Sequence, residues 1–189
     1  MRTAIIGAGL SGLSCAIYLE KHGLRPVIFE RRRLPGDRFV NGEAIFHALN
    51  RPYNDCLPYF EKEFGIALKP ISVIETMTFY SENKRSDIKG NLGYTNIRGR
   101  HPDSFESQLA AQVRSDIIYN SDKTYDDLLK EFDRVVLATG DAEDACRLGN
   151  FRADLTVSLR GATVEGSFVP SNPIAWLNNS FAPQGIMYN

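Results

Sequence analysis

The chain has 189 residues, 43% hydrophobic and 24% charged, the composition of an ordinary globular protein with room for one domain and a small second lobe. Lys+Arg at 22 against Asp+Glu at 23 leaves a formal net charge of −1, which argues against a nucleic-acid binder built on a polybasic surface. No run of about 18 apolar residues occurs, so no membrane span is expected. The three cysteines, Cys15, Cys56 and Cys146, lack metal-ligand or CxxC spacing and are expected as reduced thiols of a cytoplasmic protein.

Arg2 to Ile6 is a short apolar strand, and Leu10 to His22 has helical spacing at Leu13, Ala16, Ile17 and Leu19. Gly23 is a helix stop, and Pro26 to Glu30 is a second strand. Strand, helix and strand at this length make a βαβ unit with parallel strands. Residues 31–43 read as loop, and 44–50 and 54–64 as short helices. From Ile66 to about Arg98 the alternation is β-like and is expected to form an antiparallel insertion. A helix follows from Asp103 or Ser104 to about Val113, then a short strand over 116–119 and a helix over 125–131. Arg134 to Thr139 is a buried-type strand ending at Gly140. Residues 154–165 and 173–188 return to β-type sequence and break off at Asn189, as in a fragment. The crossover rule orders the parallel strands 116–119, 26–30, 2–6, 133–138.

Between the first strand and helix stands Gly7-Ala8-Gly9-Leu10-Ser11-Gly12, a GxGxxG pattern. Gly7 permits a tight turn, Gly9 lets a pyrophosphate approach the backbone, and Gly12 lets helix and strand pack closely. The helix N-terminus offers free N–H groups to the phosphates. Glu30, 18 residues beyond Gly12, can accept hydrogen bonds from a ribose diol and would repel a 2′-phosphate. Arg31 and Arg38 are candidates to lie along the adenosine and reach a phosphate. His22, His47 and His101 are scattered and form no triad or metal pattern, so no metal is expected. The aromatic residues of 53–80 and Trp176 read more readily as hydrophobic core than as a substrate cavity.

The segment Arg134 to Asp141, ending Ala138-Thr139-Gly140, is similar to the second signature of flavoproteins. With the glycine motif and the helical stretch Asp103 to Ala110, it makes the chain resemble the N-terminal part of a FAD-dependent oxidoreductase of the glutathione-reductase-type superfamily. The similarity is greatest to its geranylgeranyl-reductase-like and aromatic-hydroxylase-like branch, over roughly 1–148. The resemblance implies an α/β fold: a Rossmann-like parallel sheet carrying the FAD-binding unit, plus a small antiparallel β-rich lobe. It divides the chain into a FAD-binding part (1–65 and 99–150) and a substrate lobe (66–98 and 151–189).

By the same resemblance, FAD is the cofactor, with NAD(P)H as a possible electron donor, and Thr139 and Gly140 pass close to FAD. In that branch a Gln within the helix and an Arg before it approach the flavin nucleotide. Gln108 is the matching Gln; Arg98 and Arg100 are the candidate arginines, at a spacing that departs from the branch. The implied activity is hydride transfer through flavin to or from an apolar or aromatic small molecule. No catalytic side chain is assigned. Two alternatives stay open: an NAD-linked dehydrogenase, and a nucleotide-binding module without turnover.

Two departures stand out. No apolar strand ending in Gly-Asp, the superfamily's third FAD signature, occurs after residue 149. Asn41-Gly42-Glu43-Ala44 stands where geranylgeranyl reductases often carry Cys-Gly. On the fragment reading, the 189 residues alone are expected to be inactive and to self-associate through 150–189, where Val157, Leu159, Ile174, Trp176 and Ile186 lose apolar cover.

Overall fold

The computed structural model describes all residues except 38, 39, 50, 51, 155, 157–160, 163, 170, 181–186 and 189. Thr3–Ile6 (β1), Leu10–Lys21 (α1) and Val27–Phe29 (β2) form the expected βαβ unit. His22 caps α1, and Gly23 turns the chain away at φ +77°. A parallel sheet is completed by Ile117–Ile118 (β6) beside β2 and by Arg134–Leu137 (β7) beside β1. Its order, β6-β2-β1-β7, is the one the crossover rule predicts.

Both faces of this sheet are covered, as a parallel sheet requires. On one face, Leu13, Ala16 and Ile17 of α1 pack with Leu109 of Phe105–Ala110 (α3) over Ile5 and Ile28. On the other, Leu128 of Tyr125–Glu131 (α4) and Phe132 pack on Ala4 and Phe29. The helix α4 begins with a full capping box between Thr124 and Asp127. Ser104, rather than Asp103, caps α3, accepting from the Ser107 N–H.

The second sheet has five strands, in the spatial order Asn41–Phe46 (β3), Arg85–Arg98 (β5), Ser72–Ser81 (β4), Ile174–Leu177 (β8) and Met187–Tyr188 (β9). Its centre is the antiparallel pair Ser72–Ser81 (β4) and Arg85–Arg98 (β5), within the insertion expected over 66–98. Asn41–Phe46 (β3) adds on the far side of β5. This corrects the helix expected over 44–50: Ala44 and Ile45 pair with Thr95 and Tyr94, and only His47–Leu49 winds, as one 3₁₀ turn. A short apolar run satisfies either period, and the partner strand decides.

The helix expected over 54–64 is Cys56–Phe64 (α2), capped by Asp55 and ended by Gly65 at φ +74°. A further short helix, Glu143–Arg147 (α5), follows β7 and was not anticipated. Of the β-type sequence over 154–165, the described residues form no strand; Val157 and Leu159 lie outside them. Ile174–Leu177 (β8) runs parallel to β4, and Met187–Tyr188 (β9) pairs antiparallel with β8; Ile186 lies outside the described residues.

One contact fastens α2 to the second sheet. Tyr94 Oη donates to Asp55 Oδ2 at 2.5 Å, while Asp55 Oδ1 accepts from Leu57 N. The bond to the carboxylate, helped by burial, pushes the Tyr94 phenol up to about 12. Because the folded value lies above the ordinary 10.0, this stabilisation is complete below pH 10 and fades as the pH rises towards 12. A tyrosinate absorbance titration should have its latest component near pH 12, and Tyr94→Phe should lose that component. Loss of thermal stability should track the same component.

Candidate functional site

The turn from β1 into α1 lies at the C-terminal end of the parallel sheet, between strands that continue in opposite directions. Such a switch point is where open α/β sheets bind ligands. Its three glycines do different work. Gly7 adopts φ +106°, and a Cβ there would lie 2.5 Å from the Ala138 carbonyl oxygen. A Cβ on Gly12 would lie 2.0 Å from the Gly7 carbonyl oxygen and 3.3 Å from the Ala138 Cβ. A Cβ on Gly9, in contrast, would meet nothing within 4 Å. The first and third glycines are thus demanded by packing. The second faces open space, the arrangement needed if a ligand is to approach the backbone.

The first turn of α1 has no side-chain cap at Gly9. Its N–H groups and the positive end of the helix dipole are therefore free to meet an anion. Glu30 follows β2 directly. Its Oε2 accepts from Ala8 N at 2.7 Å and its Oε1 from Arg32 N at 2.9 Å. The carboxylate is thereby fixed against the glycine turn, and each oxygen keeps a lone pair for a further donor. The nearby Tyr119 phenol is raised by burial and by the Glu30 charge.

Thr139 and Gly140 follow β7 on the other side of β1. Gly140 turns at φ +68°, and Thr139 Oγ1 donates to Asp141 Oδ1. Asp141 Oδ2 lies 3.7 Å from Arg31 Nη2. Residues 30–31 and 139–141 therefore meet across the end of β1, although 108 positions separate Arg31 from Thr139. Arg38 lies outside the described residues. Gln108 sits on α3 with its amide engaged: Oε1 accepts from Lys69 N, and Nε2 donates to the Lys69 and Asp103 carbonyls. These bonds tie α3 to the segment leading into β4.

The candidate arginines have other partners. Arg98 donates to Glu106 Oε1 at 2.8 Å and to both Glu43 oxygens at 3.1 Å. Burial works against its charge, but the two carboxylates outweigh it and leave the Arg98 pKa above the ordinary guanidinium value. Glu106, only 4% exposed, also accepts from Gly99 N and packs so closely on Gly36 that a Cβ there would lie 2.5 Å from the Glu106 Cγ. Gly36 N donates in turn to the Ala8 carbonyl. This Glu43–Arg98–Glu106 chain supports the glycine turn from below and was missed in the sequence. A usable signal was present: Glu106 occupies the buried face of α3 between Phe105 and Leu109. Arg100 lies 3.9 Å from Asp37. Among the described residues, no group of His, Cys, Asp and Glu could hold a metal ion, and no helix is long and apolar enough to cross a membrane.

Comparison with known proteins agrees with this geometry. Residues 5–52 match the NAD(P)-binding Rossmann-like domain family. The thiamine thiazole synthase of Sulfolobus acidocaldarius is 41% identical over 90 residues, 44% of this chain and 32% of that protein. That of Saccharolobus solfataricus is 42% identical over 69 residues, 35% of this chain and 24% of that protein. The chain thus covers a third or less of these relatives' length. Among solved structures, a geranylgeranyl bacteriochlorophyll reductase-like protein from Thermoplasma acidophilum superposes at TM-score 0.63, with 16% identity, over 99% of this chain and 52% of that one. A flavoprotein/dehydrogenase from Cytophaga hutchinsonii superposes at 0.55, with 16% identity, over 94% of this chain and 50% of that one.

The glycine geometry separates packing from binding. Gly12→Ala should destabilise the fold by about 1–3 kcal/mol, the usual cost of overpacking. Gly9→Ala should change thermal stability far less. Chemical denaturation of the two variants beside the parent checks the difference. Residues 5–52 match a Rossmann-like domain family, and the described residues have the α/β fold also seen in a flavoprotein/dehydrogenase and a geranylgeranyl bacteriochlorophyll reductase-like protein.

Proposed function

We propose that this chain is the FAD-binding portion of a FAD-dependent oxidoreductase acting in the cytoplasm on an apolar or aromatic small molecule, with NAD(P)H as electron donor. The observation that carries the reading is the open space over Gly9 beside an uncapped helix N-terminus, with the Glu30 carboxylate fixed at the neighbouring strand end. In this reading residues 1–65 and 99–150 hold the nucleotide. Residues 66–98 and 151–189 form the substrate lobe, to which β3 lends a strand.

The residues fit the ADP half of FAD. The N–H groups of 9–12 would receive the pyrophosphate, with Gly7 and Ala8 shaping the turn and Leu10 and Ser11 opening the helix. Glu30 would accept from the adenosine ribose, and Arg31 and Arg38 would flank the adenosine. Thr139 and Gly140 would border the cofactor from the β7 side. Gln108, as placed, acts by anchoring α3. A bound flavin would supply the hydride chemistry. This chain's own residues bind, orient and shield it.

Glu30→Ala should weaken binding of both ADP and FAD. Each lost charge-assisted hydrogen bond is worth about 1.5–3 kcal/mol before water compensates. Since the candidate groups serve the ADP end, ADP and FAD should bind with similar affinity. Calorimetric titration of the parent, Glu30→Ala and Glu30→Gln checks this, with a thermal melt to separate binding from loss of the Ala8 and Arg32 bonds. Unchanged affinity in a folded Glu30→Ala rejects the ribose role. Tight binding of NAD with none of FAD favours a nicotinamide dehydrogenase.

The reading extends to self-association through 150–189. Phe151, Val164, Phe168 and Val169 are exposed at 47%, 62%, 54% and 65%. Several exposed apolar side chains within one segment favour a partner surface. Light scattering over a concentration series should show association that Phe168→Asp with Val169→Asp reduces. A clean monomer at high concentration rejects it.

A further inference from the structure

A cavity of about 460 Å³ lies between α1, α2, α3 and β3, within the size range of about 300–1,000 Å³ typical of small-molecule sites. On α1, Leu10, Ser14 and Tyr18 stand successively one turn apart along its wall. The far end is aromatic: Tyr18 and Phe64 meet edge to face with ring centroids 5.6 Å apart, and Phe60 joins them.

The other end is polar and adjoins the glycine turn. Ser11 and Ser14 line it, and their hydroxyls make no hydrogen bond among the described residues. Glu43 lines it too, with its side chain 38% exposed. The Arg98 guanidinium and the Asn96 amide hold the Glu43 carboxylate rigidly. The chain from Glu43 through Arg98, Glu106 and Gly36 to Ala8 locates this end beside the nucleotide turn. Two carboxylates share one guanidinium there, so the local charge is negative. Water can be satisfied only at the Ser11, Ser14 and Glu43 end, because the apolar walls offer it no hydrogen-bond partner.

We infer that this cavity is a binding site for an amphipathic small molecule, its apolar body between α1 and α2 and a hydrogen-bond-donating head, hydroxyl or ammonium, against Glu43, Ser11 and Ser14. The charge at the polar end accepts a donor and repels an anionic head. The site shares Leu10 and Ser11 with the nucleotide turn but uses neither Glu30 nor the open space over Gly9, so it goes beyond the nucleotide reading while bordering it.

The test titrates the full chain with decylamine, decanol and decanoate below their micelle concentrations, following displacement of an environment-sensitive apolar dye. The amine and the alcohol should bind saturably, and decanoate at least about tenfold more weakly, a gap of about 1.4 kcal/mol. Glu43→Gln should shrink that gap. Ser14→Leu, which fills the cavity, should lower affinity for all three while leaving ADP affinity and the melting temperature in place. That comparison separates failure of this site from failure of nucleotide binding. Equal binding of decanoate, binding indifferent to Ser14→Leu, or absence of saturable binding would overturn the inference. So would a dimer that Ser14→Leu abolishes, since a second copy would then be the occupant.

Discussion

The structure depends on one close approach: α1 lies so near β1 and β7 that no side-chain carbon fits between them. Gly12 sits against the Gly7 carbonyl and the Ala138 methyl, and Gly7 against the Ala138 backbone. Gly7 occupies the space a Cβ on Gly12 would need, and Ala138 the space a Cβ on Gly7 would need. That contact sets where the first turn of α1 points, and so where its free N–H groups lie. It also brings the end of β7, with Thr139 and Gly140, to the same edge as Glu30. The site is a consequence of packing before it is a consequence of chemistry.

Two supports hold the turn from different sides. Glu30 binds the Ala8 N–H from the end of β2. Gly36, backed by the buried Glu106, binds the Ala8 carbonyl. Ala8 is therefore gripped at both polar backbone atoms, which leaves Gly9 as the nearest point with open space. A rigid turn with a bare face suits an anion, because the donors need no rearrangement to meet it. The polar network beneath the turn is the costly part of this arrangement. A half-buried guanidinium between two carboxylates is tolerable only because all of its charge is met at short range.

Much of this was legible in the sequence because the first sheet follows strong rules. Ile5, Ile28 and Val136 lie in short apolar runs bounded by glycine or a polar turn, and right-handed crossovers then leave one strand order. The glycine motif was legible for the same reason: each glycine has a distinct steric role tied to its spacing. What escaped was set by distant partners. Whether Ala44-Ile45-Phe46 coils or extends depends on Tyr94 and Thr95, far along the chain. The engagement of Gln108 depends on Lys69 arriving alongside it, which no local pattern encodes. Arg98 is a candidate, beside Arg100, only by the family resemblance and at a spacing that departs from it. Its pairing with Glu43 spans 55 positions and appears only when β3 and β5 are side by side.

The Gly7–Ala138 contact also orders events during synthesis. The first βαβ unit is complete by Phe29, and β2 can pair with β1 as soon as it emerges. The opposite edge of β1 must wait for Arg134 to Leu137, more than a hundred residues later. Until then the Gly7 turn lacks the backbone it leans on, and the N-terminal half of α1 lacks the Ala138 floor beneath Gly12. On a growing chain the anion-receiving turn is thus made well before the strand that seats it. Between those two moments the glycine turn lacks one wall of its packing, and such partly built surfaces are where nascent βαβ units are open to misassembly.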